Sequence, residues 1–87
     1  ADAVVGEVDH GWDPLTRALN AGRAGAAAEL VGVAAGASDM TVEYLKQRKQ
    51  FGRLIGEFQA LQHRAAHLFG EIEIARAATW KAAELLD

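Results

Sequence analysis

Residues 48 to 59, RKQFGRLIGEFQ, gather side chains suited to holding a ligand. Arg48 and Arg53 offer planar guanidinium forks that match a phosphate two bonds at a time. Gln59 adds an amide beside the aromatic ring of Phe58. With Lys46 and Lys49, four cations crowd one short window of a chain whose formal net charge is −3. Around a loop facing the start of a helix, that set suits a phosphate-bearing ligand that also carries a ring. A plainer reading competes. Cations at the C-terminal end of a helix complement its macrodipole, at roughly 0.3–1 kcal/mol each. Lys46, Arg48 and Lys49 satisfy it, with Gly52 as the helix stop. It leaves the QFG triplet, Arg53 and Gln59 unexplained.

Other clusters point to chemistry less well. His63, His67 and Glu71 share one helical face, as metal ligands can. A zincin motif needs Glu beside the first His, and Arg64 stands there, so a surface or inter-helix stripe fits better and no metal is expected. Glu71 and Glu73, two apart, point to different faces, and Glu73 is placed to pair with Arg76. Glu29 interrupts an apolar window, which fits a buried base or, more commonly, an edge position facing water. Ser38 and Asp39 lack a partnered histidine and make no nucleophile arrangement.

These residues belong to one small domain or part of a larger one: the chain has 87 residues, 51% of them hydrophobic. Without cysteine there is no disulfide and no thiolate metal site. The acidic balance disfavours a nucleic-acid binder. The most apolar window, AGAAAELVGVAAGAS, is shorter than the roughly 20 residues a membrane span requires, so no transmembrane segment is expected. ADAVVGEVDHGW carries no basic region leading into an apolar run, and no targeting signal is visible.

Periodicity supplies the scaffold. ADAVVGEV reads as extended or a strand remnant, and DHGW as a turn. Asp13 as N-cap with Pro14 at the first helical position predicts a short helix to Asn20, loosened by NAGR. A long helix is predicted from about 23 to 48. One apolar stripe on it is Ala26, Leu30, Val33, Ala37, Met40 and Tyr44; a second is Ala27, Val31, Ala34 and Leu45. From about 57 to 86, Phe58, Leu61, Ala65, Leu68, Ile72, Ala75, Thr79, Ala82 and Leu86 keep steps of three and four throughout. Two such helices on a short loop must lie antiparallel, with Leu30, Val33, Leu61, Leu68 and Ile72 inward. The middle helix is apolar on two faces and has one partner, so the hairpin calls for missing chain or other subunits.

The stretch YLKQRKQFGRLIGEFQALQHRAAHL resembles the R-K-Q-F-G, then F-Q-A-x-Q, signature of acyl-CoA dehydrogenases. LNAGRAGAAAELVGVAAGASDM is similar to the family's L-x-x-G-R helix, and VVGEVDHGW to the turn closing its middle β-domain. The resemblance runs from Val4 to Asp87. It implies an all-α fold, an antiparallel long-helix hairpin forming part of a C-terminal four-helix bundle. Residues 1–12 would end the middle β-domain or link it, and 13–87 would be the first helices of an incomplete bundle domain.

The implied cofactor is FAD. By resemblance Arg48 and Gln59 bind its phosphate and adenine region across a dimer interface, and Gln50, Phe51 and Phe58 line the same place. Asn20 and Arg23 would approach the acyl-CoA substrate, Asn20 standing where the family often has Asp. The implied reaction removes the thioester α-proton with a carboxylate and passes the β-hydride to the flavin, leaving a trans-2-enoyl-CoA. Electrons then go to an electron-transfer flavoprotein. Other subunits of a dimer or tetramer are implied partners, in the cytoplasm or, in a eukaryote, the mitochondrial matrix. Some members carry the catalytic glutamate directly before the arginine of G-R, where Gly22 stands; others carry it in a later helix pair. No catalytic residue is therefore assigned here, and the 87 residues alone are expected to be inactive. Two alternatives fit the same resemblance: a non-catalytic helical subunit or interaction module contributing half a flavin site, and a flavin monooxygenase relative.

Overall fold

The computed structural model describes residues 2–86; the outer ends of the two expected domain segments, Ala1 and Asp87, lie outside the described residues. Helix α1 spans Trp12–Leu45, a minimal hairpin pairs β1 (Lys49–Gln50) with β2 (Arg53–Leu54), a 3-10 turn covers Ile55–Glu57, and helix α2 spans Gln59–Glu84.

Helix α1 is one unbroken 34-residue element, without the expected loosening at NAGR. Asn20 and Gly22 lower intrinsic helicity, but interrupting the helix would require a second costly nucleus, and alanine-rich sequence follows directly. Its N-cap is Gly11 rather than Asp13, and no side chain caps it. Asp13 lies in the first turn, where its charge complements the macrodipole. Pro14 is the third helical residue, still among the positions whose N–H has no intrahelical partner. Upstream, residues 2–11 form turns and bends, not the expected strand. Gly6 and Asp9 both take positive φ, at 86° and 66°, which folds the segment away from an extended path.

At its other end α1 stops at Leu45, with Lys46 as C-cap and no basic residue in the last turn. Arg48 and Lys49 therefore lie beyond the helix, and Gly52 is not its stop. Lys46 alone stays beside the terminus, and it is ion-paired with Glu43 at 2.8 Å.

The helices are antiparallel, as expected. Leu45 meets Gly56 near the connection, Val31 and Gly32 line a cleft with Thr79 and Ala83, and Ala24 and Ala27 lie beside Leu85 and Leu86. From Ala24 onward the half-buried residues of α1 are Ala24, Ala27, Val31, Ala35, Ser38, Val42 and Leu45, spaced by threes and fours, with Thr16 half-buried nearer its start. Across from them Leu61, Ala65 and Thr79 are half-buried, and Ile72 is the buried residue, 7% exposed. This corrects one expectation. Leu30 and Val33 point outward, 68% and 65% exposed, together with Ala26, Ala37, Met40 and Tyr44. The stripe that packs is the one containing Ala27, Val31 and Leu45, which is rich in small side chains. Leu68, also expected inward, is exposed.

One seam is a thin core. The accessible surface is 7325 Å², against about 5,000 Å² for a folded monomer of this size. The radius of gyration is 21.0 Å, where a compact domain of this length has about 12 Å. Exposed apolar residues include the outward stripe of α1 and Phe69, Ile74 and Trp80.

Two outcomes follow from this geometry. Expressed alone, the chain should self-associate or populate a loose helical state, read by sedimentation and near-ultraviolet dichroism; a sharp monomeric two-state melt would contradict the packing described. Gly56 has no room for a side chain, because an added Cβ would lie 2.8 Å from the Leu45 carbonyl oxygen. Gly56→Ala should destabilise the intact protein by about 1–3 kcal/mol in chemical denaturation, the usual range for overpacking.

Candidate functional site

The connection between the helices, residues 46–58, is a folded object. The Tyr44 carbonyl accepts the Gln47 and Arg48 N–H groups, each at 3.0 Å, which turns the chain out of α1. Two antiparallel pairs follow, Lys49 with Leu54 and Gln50 with Arg53. Ile55 N–H donating to the Arg48 carbonyl at 2.9 Å closes the base of the hairpin. The two turn residues, Phe51 and Gly52, have φ of 56° and 76°, the left-handed pair that a type I′ turn requires. Glycine adopts this freely. Phenylalanine does not, and its left-handed backbone costs roughly 1–2 kcal/mol.

Phe51 therefore stands in an unfavourable conformation at the tip, with its side chain 90% exposed. Its ring meets the edge or face of Phe58 at 6.0 Å and 85°. Over the Phe58 ring lies the Arg53 guanidinium carbon, 4.9 Å from the centroid, and Arg53 also donates to the Glu57 carbonyl at 3.4 Å. The Glu57 carboxylate accepts the Leu54 N–H at 2.8 Å. This is half of a capping box, since Leu54 has no polar side chain to return the bond. Gln62, a turn into α2, donates to the Gly56 carbonyl at 2.9 Å and ties the connection to the second helix.

Charge at the site is uneven. Lys46, Arg48, Lys49 and Arg53 face one nearby carboxylate in the connection, Glu57. Among the described residues, Arg48 and Lys49, like Arg17 and Arg64 elsewhere, make no side-chain hydrogen bond or ion pair, whereas Arg23, Lys46, Arg53, Arg76 and Lys81 all do. Helix α2 begins at Gln59 behind Phe58, an N-cap whose side chain cannot accept a bond, so no side chain caps its first-turn N–H groups. Exposed guanidinium, aromatic faces and an uncapped helix N-terminus thus occur together.

Arg48, Gln50, Phe51 and Phe58 fall within this connection, and Gln59 follows it as the first residue of α2. Asn20 and Arg23 do not. They lie on α1 near Leu85 and Leu86, linked by an Arg23 bond to Asn20 Oδ1 at 3.3 Å, with Arg17 beside them along the same cleft. From Arg23 to the end of α1 is roughly 33 Å along the helix axis. One hairpin therefore presents two separate candidate surfaces.

Sequence reasoning singled out Arg53 but not its contact with the Phe58 ring, and it missed Glu57. The signal for Glu57 was weak: an acidic residue three places after Leu54, just ahead of an apolar helix. Elsewhere, Glu73 pairs with Arg76 at 3.0 Å as expected, and Glu29 is exposed. His67 Nε2 lies 3.1 Å from Glu71 in an exposed pair, and among the described residues no three candidate ligands converge on a metal position. Among the described residues no helix is long and apolar enough to cross a membrane.

Comparison with known proteins shows what the chain is similar to. The family model described as "Acyl-CoA dehydrogenase, C-terminal domain" matches residues 9–87. A mitochondrial short/branched chain specific acyl-CoA dehydrogenase of Bos taurus is 48% identical over 84 residues, covering 97% of this chain and 19% of that protein. The 3-sulfinopropanoyl-CoA desulfinase of Paraburkholderia xenovorans is 46% identical over 78 residues, covering 90% of this chain and 20% of that protein. The caffeyl-CoA reductase-Etf complex subunit CarC of Acetobacterium woodii is 40% identical over 83 residues, covering 95% and 22%. The chain thus spans about a fifth of the length of these relatives. No solved structure is a significant match.

The Glu57 contact has a direct readout. Glu57→Ala removes the acceptor of the Leu54 N–H, and exchange of that amide should accelerate about five- to tenfold, for a bond of about 1–1.4 kcal/mol. Unchanged exchange would show that the carboxylate does not hold the turn.

Proposed function

Because the chain belongs to the acyl-CoA dehydrogenase family, through the C-terminal domain of that family, we propose that it is part of an FAD-dependent enzyme converting an acyl-CoA thioester to a trans-2-enoyl-CoA. In this reading residues 1–12 end or follow a middle β-domain, and 13–87 are the first helices of the C-terminal bundle. The observation that carries the cofactor assignment is the folded connection: an unpartnered Arg48, the Phe51–Phe58 ring pair and the uncapped start of α2 within one short segment.

Those residues suit a dinucleotide. Arg48 supplies a charge-assisted fork for phosphate oxygens, and the first-turn N–H groups of α2 add donors and a favourable dipole. Gln59 sits at the first position of α2 and contributes neutral amide bonds. Gln50 pairs across the hairpin with Arg53 and shares a face of the ribbon with it. Phe51 and Phe58 give apolar surface for a ring and keep water from it. When bound, FAD supplies the acceptor for the substrate's β-hydride.

Asn20 and Arg23 would hold the acyl-CoA in the first half of α1, beside Leu85 and Leu86, Arg23 being oriented by its bond to Asn20. At roughly 33 Å from the connection they are far from the flavin-gripping residues of their own chain. That separation supports an assignment in which Arg48 and its neighbours serve the flavin of another subunit, in a dimer or tetramer. Gly22 stands directly before Arg23, so the α-proton falls to a carboxylate elsewhere in the intact enzyme. An electron-transfer flavoprotein would take the electrons. The proposed location is the cytoplasm, or the mitochondrial matrix in a eukaryote.

The test is flavin retention in the intact protein. A hydrogen bond to a charged group contributes about 1.5–3 kcal/mol, and each 1.4 kcal/mol is about tenfold, so Arg48→Ala should weaken FAD binding roughly ten- to a hundredfold. Gln59→Ala should cost less. Lys81→Ala should change nothing, since Lys81 lies near the far end of α2 in an exposed pair with Glu84. If Arg48→Ala holds its flavin absorbance through dilution and dialysis as wild type does, the cofactor assignment fails.

A further inference from the structure

Four cations gather at the connection, and the structure does not treat them alike. Lys46 is paired with Glu43 beside the end of α1. Arg48 and Lys49 are without side-chain partners among the described residues. Arg53 differs from all three. Its guanidinium lies over the Phe58 ring at 4.9 Å and donates back to the Glu57 carbonyl within the same turn. Phe58 in turn carries Phe51, edge to face, at 6.0 Å. Arg53, Phe58 and Phe51 therefore form one stack, each ring located by the next.

The stack answers a mechanical problem. Phe51 is held at φ 56° in a turn where glycine or asparagine is the usual first residue, and its ring is almost wholly exposed. Nothing in its own backbone preference fixes it there, and its side-chain contact is with Phe58. Phe58 is half-buried and immediately precedes α2, so its backbone is set by the helix start while its exposed ring face needs a second support. The planar guanidinium provides it. A cation over an aromatic face is attracted by the ring quadrupole, and arginine adds planar stacking that an ammonium lacks.

We infer that Arg53 is a positioning residue: it acts through Phe58 to hold the Phe51–Phe58 pair as a fixed wall for the cofactor's ring, and does not itself grip the phosphate. This rests on the flavin reading above, and it divides the basic cluster into one gripping residue, Arg48, and one bracing residue, Arg53.

The experiment is a double-substitution cycle on FAD dissociation in the intact protein, followed by flavin fluorescence at low and high salt. Arg53→Ala should weaken binding about two- to fivefold, the range expected of a partly exposed cation–ring contact. In a Phe58→Leu background, the same Arg53→Ala change should have less than about half that effect in logarithmic terms, because its target is gone. The Arg53→Ala loss should also persist at high salt, whereas the loss from Arg48→Ala should shrink as salt screens the phosphate contact. Arg53→Lys keeps the charge but lacks the planar fork, and should recover only part of the loss. Melting of each apoprotein checks that the fold is retained. A full Arg53→Ala effect in the Phe58→Leu background would overturn the inference, because Arg53 would then touch the cofactor directly. Full recovery by Arg53→Lys, or no effect of Arg53→Ala, would overturn it too. An unaltered flavin affinity in Arg48→Ala would instead remove the cofactor reading, and the inference with it.

Discussion

The arrangement depends on one close approach, the backbone of Gly56 against the carbonyl of Leu45. A Cβ at residue 56 would lie 2.8 Å from that oxygen, so only glycine lets the chain return tightly enough for α2 to start beside the end of α1. Hydrogen bonds from Ile55 to Arg48 and from Gln62 to Gly56 lock the return on both sides. With the return fixed, two residue pairs of ribbon suffice to project Phe51 and Gly52 away from the helices. Loosening it would move the seam and the hairpin together.

The same geometry explains why so little of the chain is buried. Two antiparallel helices share one seam, and Ile72 at its middle is the buried apolar side chain. The outward stripe of α1, with Leu30, Val33, Met40 and Tyr44, has the spacing of a second seam and no helix of this chain upon it. The accessible surface exceeds that of a compact domain of equal size by about 2,000 Å². The ribbon thus sits at one end of a thin two-helix hairpin, roughly 33 Å along α1 from Arg23.

Much of this was legible in the sequence, and the failures have identifiable causes. Steps of three and four from Phe58 to Leu86 fixed the second helix to within two residues at each end. The same rule could not choose between the two stripes of α1, because Leu30–Val33 and Ala27–Val31 both satisfy it; bulk favours the first and close packing the second. The NAGR stretch looked like a break because propensity is local while helix propagation is cooperative. The ribbon was invisible because Phe-Gly is not the Asn-Gly pair that announces a tight turn, and two-residue strands have no periodicity to read. For the candidate site, the cluster of residue types was evident from Arg48 to Gln59. The distinct role of Arg53 was not, since it depends on a ring and a carbonyl brought near by the turn.

Amide hydrogen exchange of the intact protein with and without FAD tests whether this ribbon and the helix start beside it meet the cofactor. If they do, FAD should slow exchange at residues 48–55 and at the first turn of α2, while the middle of α2 around Ile72 exchanges at the same rate in both states. Equal exchange across residues 48–60 with and without FAD, in a sample shown to bind the flavin, would contradict that contact and leave the ribbon as a connector between two helices.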